Sequence, residues 1–275
     1  METATLRPAR LSGEVQAALI ALLLVLAAGC WLITEGRMAG MDAGPGTDLG
    51  GLGWFAGVWL LMMAAMMLPS VAPMVLAYAG VEAGAREPVR GGVRTAAFLA
   101  GYLIAWGAAG LGAFLLFDIV RSLDLGVLEW DAGGPYVAGA AILGAALYEL
   151  TPAKDACLRR CRAPREFLSR HEHPGAGGAL RAGLEHGAVC IGCCWALMVV
   201  LFALGVMSLT WMAFVAVLIA AEKLLPGPAV VRVGIAVLLT VLAFAVAFAP
   251  ESIPGLTIPG SIDMGSMDAQ PMGMQ

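Results

Sequence analysis

Charge is what this chain has least of. Only 13% of its 275 residues are charged while 60% are hydrophobic, which leaves too little polar surface to cover a soluble globule, so lipid must be the solvent for much of the chain. Also missing is a Gly-x-x-x-x-Gly-Lys loop, which excludes a nucleotide-driven pump of that type. No strand–turn–helix pattern surrounds the cysteines, so a thioredoxin-like unit is not expected. The six cysteines do not form a secreted disulfide framework and read as reduced thiols. The N-terminus lacks a clear cleavable signal. Arg7 and Arg10 precede an apolar run ending Leu26-Ala27-Ala28-Gly29-Cys30, but the leucine stands one place too early for a good lipoprotein signal and the run continues through Trp31, Leu32 and Ile33. It is read as an uncleaved first span.

Seven apolar stretches approach the roughly 20 helical residues that a hydrocarbon core requires: 15–34, 54–79, 95–117, 133–150, 187–206, 209–225 and 228–249. The basic residues between them divide unevenly. Arg7, Arg10, Arg86, Arg90, Arg94, Lys154, Arg159, Arg160, Arg162, Arg165, Arg170, Arg181, Lys223 and Arg232 fall on one set of alternating sides, against Arg37 and Arg121 on the other. Positive charge stays inside, so the larger set marks the cytoplasm. The expected fold is all-α, a polytopic transmembrane bundle of about seven helices with the N-terminus in and the C-terminus out. Residues 1–14 form a cytoplasmic arm, 15–250 the transmembrane domain with a basic, cysteine-bearing cytoplasmic loop at 151–186, and 251–275 a disordered external tail. Ala108/Gly112 and Ala140/Gly144 are small pairs at the spacing that lets membrane helices approach. Trp54, Trp130, Tyr136 and Trp211 fit an aromatic belt.

Soft-metal ligands recur along the chain. Met62/Met66 and Met63/Met67 are i,i+4 pairs, each on one helical face. Thioether sulfur suits Cu(I) far better than hard cations, although methionine also fills gaps in apolar helices. The fifth span places His186, Cys190, Cys193 or Cys194, and Met198 along one stripe. Buried cysteines are commonly packing residues, yet three in phase with a histidine point to metal binding. Cys157 and Cys161 stand four apart among basic residues that favour the thiolate, and are expected to face one direction. His171 and His173 are a weak chelate motif that reads more readily as a solvated turn. Glu222 and Lys223 are costly at membrane depth and call for partners or a water-filled path. Topology gathers Glu149, Cys157, Cys161, Glu185, His186, Cys190 and Glu222 at one end of three spans, where a single site would hold them. The tail carries Met264, Met267, Met272 and Met274, suited to loose Cu(I) capture.

Four ordered motifs carry a resemblance: Met-Met-Ala-Ala-Met-Met-Leu-Pro from Met62, Thr-Pro-Ala-Lys-Asp-Ala-Cys-Leu-Arg-Arg-Cys-Arg-Ala-Pro from Thr151, Cys-Ile-Gly-Cys-Cys-Trp-Ala-Leu-Met from Cys190, and Ala-Glu-Lys-Leu-Leu-Pro from Ala221. Over about residues 55–228 the chain resembles a bacterial family of predicted metal-binding integral membrane proteins, a domain of unknown function. The methionine pairs are similar, locally, to those of eukaryotic copper importers, whose three-span layout differs. The expectation is a multi-pass protein of the bacterial inner membrane that binds a soft transition metal, Cu(I) first. It either moves the ion or hands it to an assembling cuproprotein. The metal ligands expected are His186, Cys190, Cys193, Cys194, Met62, Met63, Met66, Met67, Cys157, Cys161, Met198 and Glu222, and no catalytic residue is expected. Its partners would be membrane lipid and a soluble metal chaperone or cuproprotein, not nucleic acid. Two other readings stay open: a membrane thiol–disulfide oxidoreductase using Cys190/Cys193 and Cys157/Cys161, and an assembly scaffold with structural metal.

Overall fold

A computed structural model describes residues 11–39, 49–83, 88–123, 126, 129–130, 132–170 and 175–256. The tail methionines and the His171/His173 pair lie outside them. Among the described residues all regular structure is helical: α1 (Gly13–Met38), α2 (Leu52–Ala83), α3 (Pro88–Ser122), α4 (Gly134–Glu149), α5 (Pro152–Cys161), α6 (Pro164–Arg170), α7 (Gly175–Leu204), α8 (Leu209–Leu224) and α9 (Pro228–Phe248), then a 3₁₀ turn at Pro250–Ser252.

Helices α1, α2, α3, α7 and α9 are long and apolar enough to cross a membrane, and α4 with α5 forms a sixth candidate, bent by 67°. Several long apolar helices of this kind are compatible with a multi-pass membrane protein. Each of the seven expected stretches is a helix, but α4 and α8 have 16 residues apiece, about 24 Å of rise against a core of about 30 Å. Helix α7 begins at Gly175 rather than at 187, so the basic 151–186 segment is itself mostly helical.

Local chemistry explains the breaks. Thr151 caps α5 by accepting a hydrogen bond from the Lys154 backbone N–H, and Pro152 occupies the first turn, where its missing N–H costs nothing. This cap restarts the chain in a new direction directly after α4. Gly227, at φ +71°, turns the chain into Pro228 at the start of α9.

Helices α2 and α7 are buried on more than half of their apolar windows, whereas α1 and α3 leave most of theirs facing outward, as lipid-facing helices do. Close packing comes from glycine. A Cβ on Gly101 would clash with the Leu180 carbonyl oxygen, and one on Gly183 with that of Phe98, so α3 and α7 touch backbone to backbone. The pairs expected to do this, Ala108/Gly112 and Ala140/Gly144, are exposed, and added Cβ atoms at Gly112 and Gly144 would meet nothing. The glycines that do make the contact lie at other phases of their helices. Trp211 likewise departs from the belt: it is 6% exposed and donates its indole N–H to the Gly255 carbonyl at 3.1 Å.

Candidate metal centre

The centre is built on α7. His186, Cys190, Cys193, Cys194 and Met198 are all buried there. The glycine contact that brings α3 against α7 also sets the Tyr102 hydroxyl 3.1 Å from Cys190 Sγ. Helices α4, through Tyr148, and α5, through Cys157, dock on the other side. Tyr148 donates its hydroxyl to the Gly192 carbonyl at 2.6 Å, and Cys157 Sγ lies 3.0 Å from where a Gly192 Cβ would stand. With α5 so placed, its last residue, Cys161, reaches α7. The ligand atoms of Cys161, Cys190 and Cys193 all lie within 4.8 Å of one another. Three sulfurs, each about 2.3 Å from a trigonally bound ion, stand about 4 Å apart, so the cluster needs little movement to close on a metal. All six cysteines are free thiols.

A cation faces the thiols. Lys223, on α8, puts Nζ 2.9 Å from Cys190 Sγ and 3.5 Å from Ser70 Oγ. Ser70, on α2, donates to the Met67 carbonyl at 3.0 Å and lies 3.9 Å from Met67 Sδ. The methionine stripe is thereby joined to the thiol cluster through one hydroxyl and one ammonium. At about 100° per residue, Met62, Met63, Met66 and Met67 cover an arc of about 140°, and Ser70 and Met74 lie within it. All four quartet residues are buried in protein.

Below the thiols lies an ionic triad. Lys154 Nζ donates to Glu149 Oε1 and to Glu222 Oε2, both at 2.8 Å, and all three side chains are within 1% of full burial. Burying such charges is costly unless they are paired. Arg162 ties the end of α8 to α5 by donating to the Glu222 and Leu225 carbonyls.

The expected ligands therefore separate. Cys161, Cys190 and Cys193 come together. Cys194 Sγ contacts Cys193 Sγ at 3.3 Å but is not in the mutual cluster, and Cys157 packs on Gly192 instead. His186 lies among the rings of Phe98, Tyr102 and Phe167, with Nδ1 unpartnered. Met198 is buried two turns beyond Cys190. Glu222 is engaged by Lys154, and Glu185 pairs with Arg181 at 2.9 Å. Sequence reasoning passed over Lys154, Ser70 and Tyr102. Lys154 had a signal: two carboxylates at membrane depth, Glu149 and Glu222, require a cation.

Three convergent thiols beside an ammonium, enclosed in a helical bundle, make a donor set that suits a soft metal ion rather than a hard one. The comparisons agree. The chain belongs to the PpoB2 family, described as copper chaperone, whose model matches residues 56–246. No curated protein and no solved structure matches it.

Proposed function

We propose that this protein is a copper-handling protein of the bacterial inner membrane that holds one Cu(I) on the thiolates of Cys161, Cys190 and Cys193 and passes it to an assembling cuproprotein. The observation that carries the reading is the meeting of those three sulfurs, from two helices, within 4.8 Å. Three thiolates and one Cu(I) total two negative charges, and Lys223 against Cys190 offsets one of them. In a low-dielectric interior that offset decides whether the anionic centre is stable. The buried methionine stripe supplies weaker thioether stations leading through Met67 and Ser70 to Lys223 and Cys190. Weak sites suit an ion that must move on. In this reading the five long helices and the shorter α4 and α8 all cross the bilayer, with the N-terminus and the α5–α6 segment in the cytoplasm and the C-terminus outside.

Copper content, measured after anaerobic loading with Cu(I) and desalting, tests the assignment. Wild type should retain one Cu(I), and each of Cys161→Ser, Cys190→Ser and Cys193→Ser should lose it under competition from a Cu(I) chelator. Cys157→Ser should retain it.

A further inference from the structure

Beside the thiol cluster is a cavity of about 90 Å³, bounded by α2, the α5–α6 turn, α7 and α8, whose walls include Ser70, Met74, Cys161, Arg162, His186 and Lys223. Its volume is well above the roughly 10–15 Å³ that one water needs. A CH2–S head fits, and a bulky organic ligand does not. Building on the thiolate site proposed above, we propose that this cavity receives the thiolate of an incoming Cu(I) complex, from a small thiol or from a cysteine of a carrier protein, and that Cys161 is the ligand through which the ion changes hands.

Exposure orders the three thiols. Cys190 and Cys193 are fully buried, whereas Cys161 is half-buried and forms part of the cavity wall. A carrier sulfur in the cavity can therefore share an ion with Cys161 before it reaches the other two. The lining suits an anionic sulfur ligand. Lys223 and Arg162 bring positive charge, and Ser70 brings a hydroxyl. His186 supplies the independent sign of a missing ligand. Its side chain is 1% exposed, it lines the cavity, and Nδ1 meets no hydrogen-bond partner, although buried polar atoms are nearly always paired. As N–H it donates to a thiolate; unprotonated, it accepts from a thiol. Met74 adds a neutral thioether on the same wall, able to touch the ion without holding it tightly.

The exchange balances without a redox partner. The Cu–S bond to Cys161 forms as one Cu–S bond to the carrier breaks, and the proton leaving the Cys161 thiol is taken by the departing carrier thiolate. Copper stays Cu(I) throughout. Cys190, a thiolate beside Lys223, and Cys193 then replace the carrier's remaining sulfur, which leaves with the Cys193 proton, while Cys161 stays bound as the third ligand.

Val71 also lines the cavity, is 3% exposed and carries no polar group, so enlarging it takes up cavity space while every ligand side chain is kept. Full-length Val71→Leu and Val71→Phe proteins in nanodiscs would be loaded anaerobically from three donors: the Cu(I)–acetonitrile complex, Cu(I)–glutathione, and a Cu(I)-loaded peptide bearing Cys-x-x-Cys. The expected result is unchanged copper capacity and unchanged loading from acetonitrile, with loading from a thiolate donor slowed by about tenfold in Val71→Phe and less in Val71→Leu. Slowing with glutathione assigns the pocket to a small thiol, and slowing with the peptide assigns it to a carrier cysteine. Wild-type rates from all three donors, or equal slowing from all three, overturn the proposal. Val71→Leu, one methylene larger, carries the test where Val71→Phe fails to fold. A wild type that takes up no copper from acetonitrile would instead strike the thiolate site itself.

Discussion

Lys223 Nζ lies 2.9 Å from Cys190 Sγ, with both groups buried between α7 and α8. An ammonium left in an apolar interior needs an anion, and a thiolate left there needs a cation. Each residue therefore makes the other tolerable, and the pair is poised for a metal that binds thiolate.

Removing the cation should weaken the site without removing a ligand. Lys223→Met keeps length and loses charge. Its Cu(I) affinity, read by competition with a chromophoric chelator, should fall by about 10- to 100-fold, the worth of a charge-assisted contact, while copper stoichiometry at saturation stays at one. An unchanged affinity would show that Lys223 does not act on the centre.

The ionic triad makes a claim about stability rather than binding. Lys154→Met would leave Glu149 and Glu222 buried and facing each other, at a cost of about 3–5 kcal/mol. Thermal unfolding in detergent should show a clearly lowered Tm. Adding Glu149→Gln and Glu222→Gln to Lys154→Met removes the uncompensated charge and should recover most of the loss. A triple variant as unstable as the single one would locate the damage in packing instead.

How much of this was legible in the sequence differs from residue to residue. The helices were, because runs such as 228–249 have no polar residue to interrupt them beyond Arg232 and Thr240. The early start of α7 was not: Gly175–Glu185 is rich in glycine and carries Arg181 and Glu185, which hide a helix from a hydropathy reading. The stripe His186, Cys190, Cys193 followed from the 3.6-residue period. Which α5 cysteine joins it did not. Cys157 and Cys161 share a face, but they are about 6 Å apart along the axis, so one meets Gly192 while the other meets the thiols. For Lys154 the need for a cation was legible but not its identity: Glu149 is five residues away and Glu222 is 68 residues away, and only tertiary packing brings both to one ammonium.

The methionine stripe should affect passage rather than holding. Replacing Met62, Met63, Met66 and Met67 together with Leu conserves volume at buried positions and should cost the fold little. The variant should bind one Cu(I) as wild type does, yet alter copper accumulation or cuproenzyme activity in cells. Wild-type behaviour in both assays would reduce the quartet to packing.

Topology is checked independently of metal. Reporter fusions after Arg165 should read cytoplasmic and fusions after Gln275 external, as the fourteen-to-two division of basic residues requires. A cytoplasmic C-terminus would mean that one of the 16-residue helices, α4 or α8, does not cross.

The most direct measurement is X-ray absorption at the copper edge on protein loaded with one equivalent of Cu(I). A centre made by Cys161, Cys190 and Cys193 predicts an edge characteristic of three-coordinate Cu(I) and a first shell of three sulfurs. That shell should drop to two sulfurs, or vanish with the bound copper, in Cys161→Ser. A shell dominated by nitrogen, or one left intact in Cys161→Ser, would contradict the assignment.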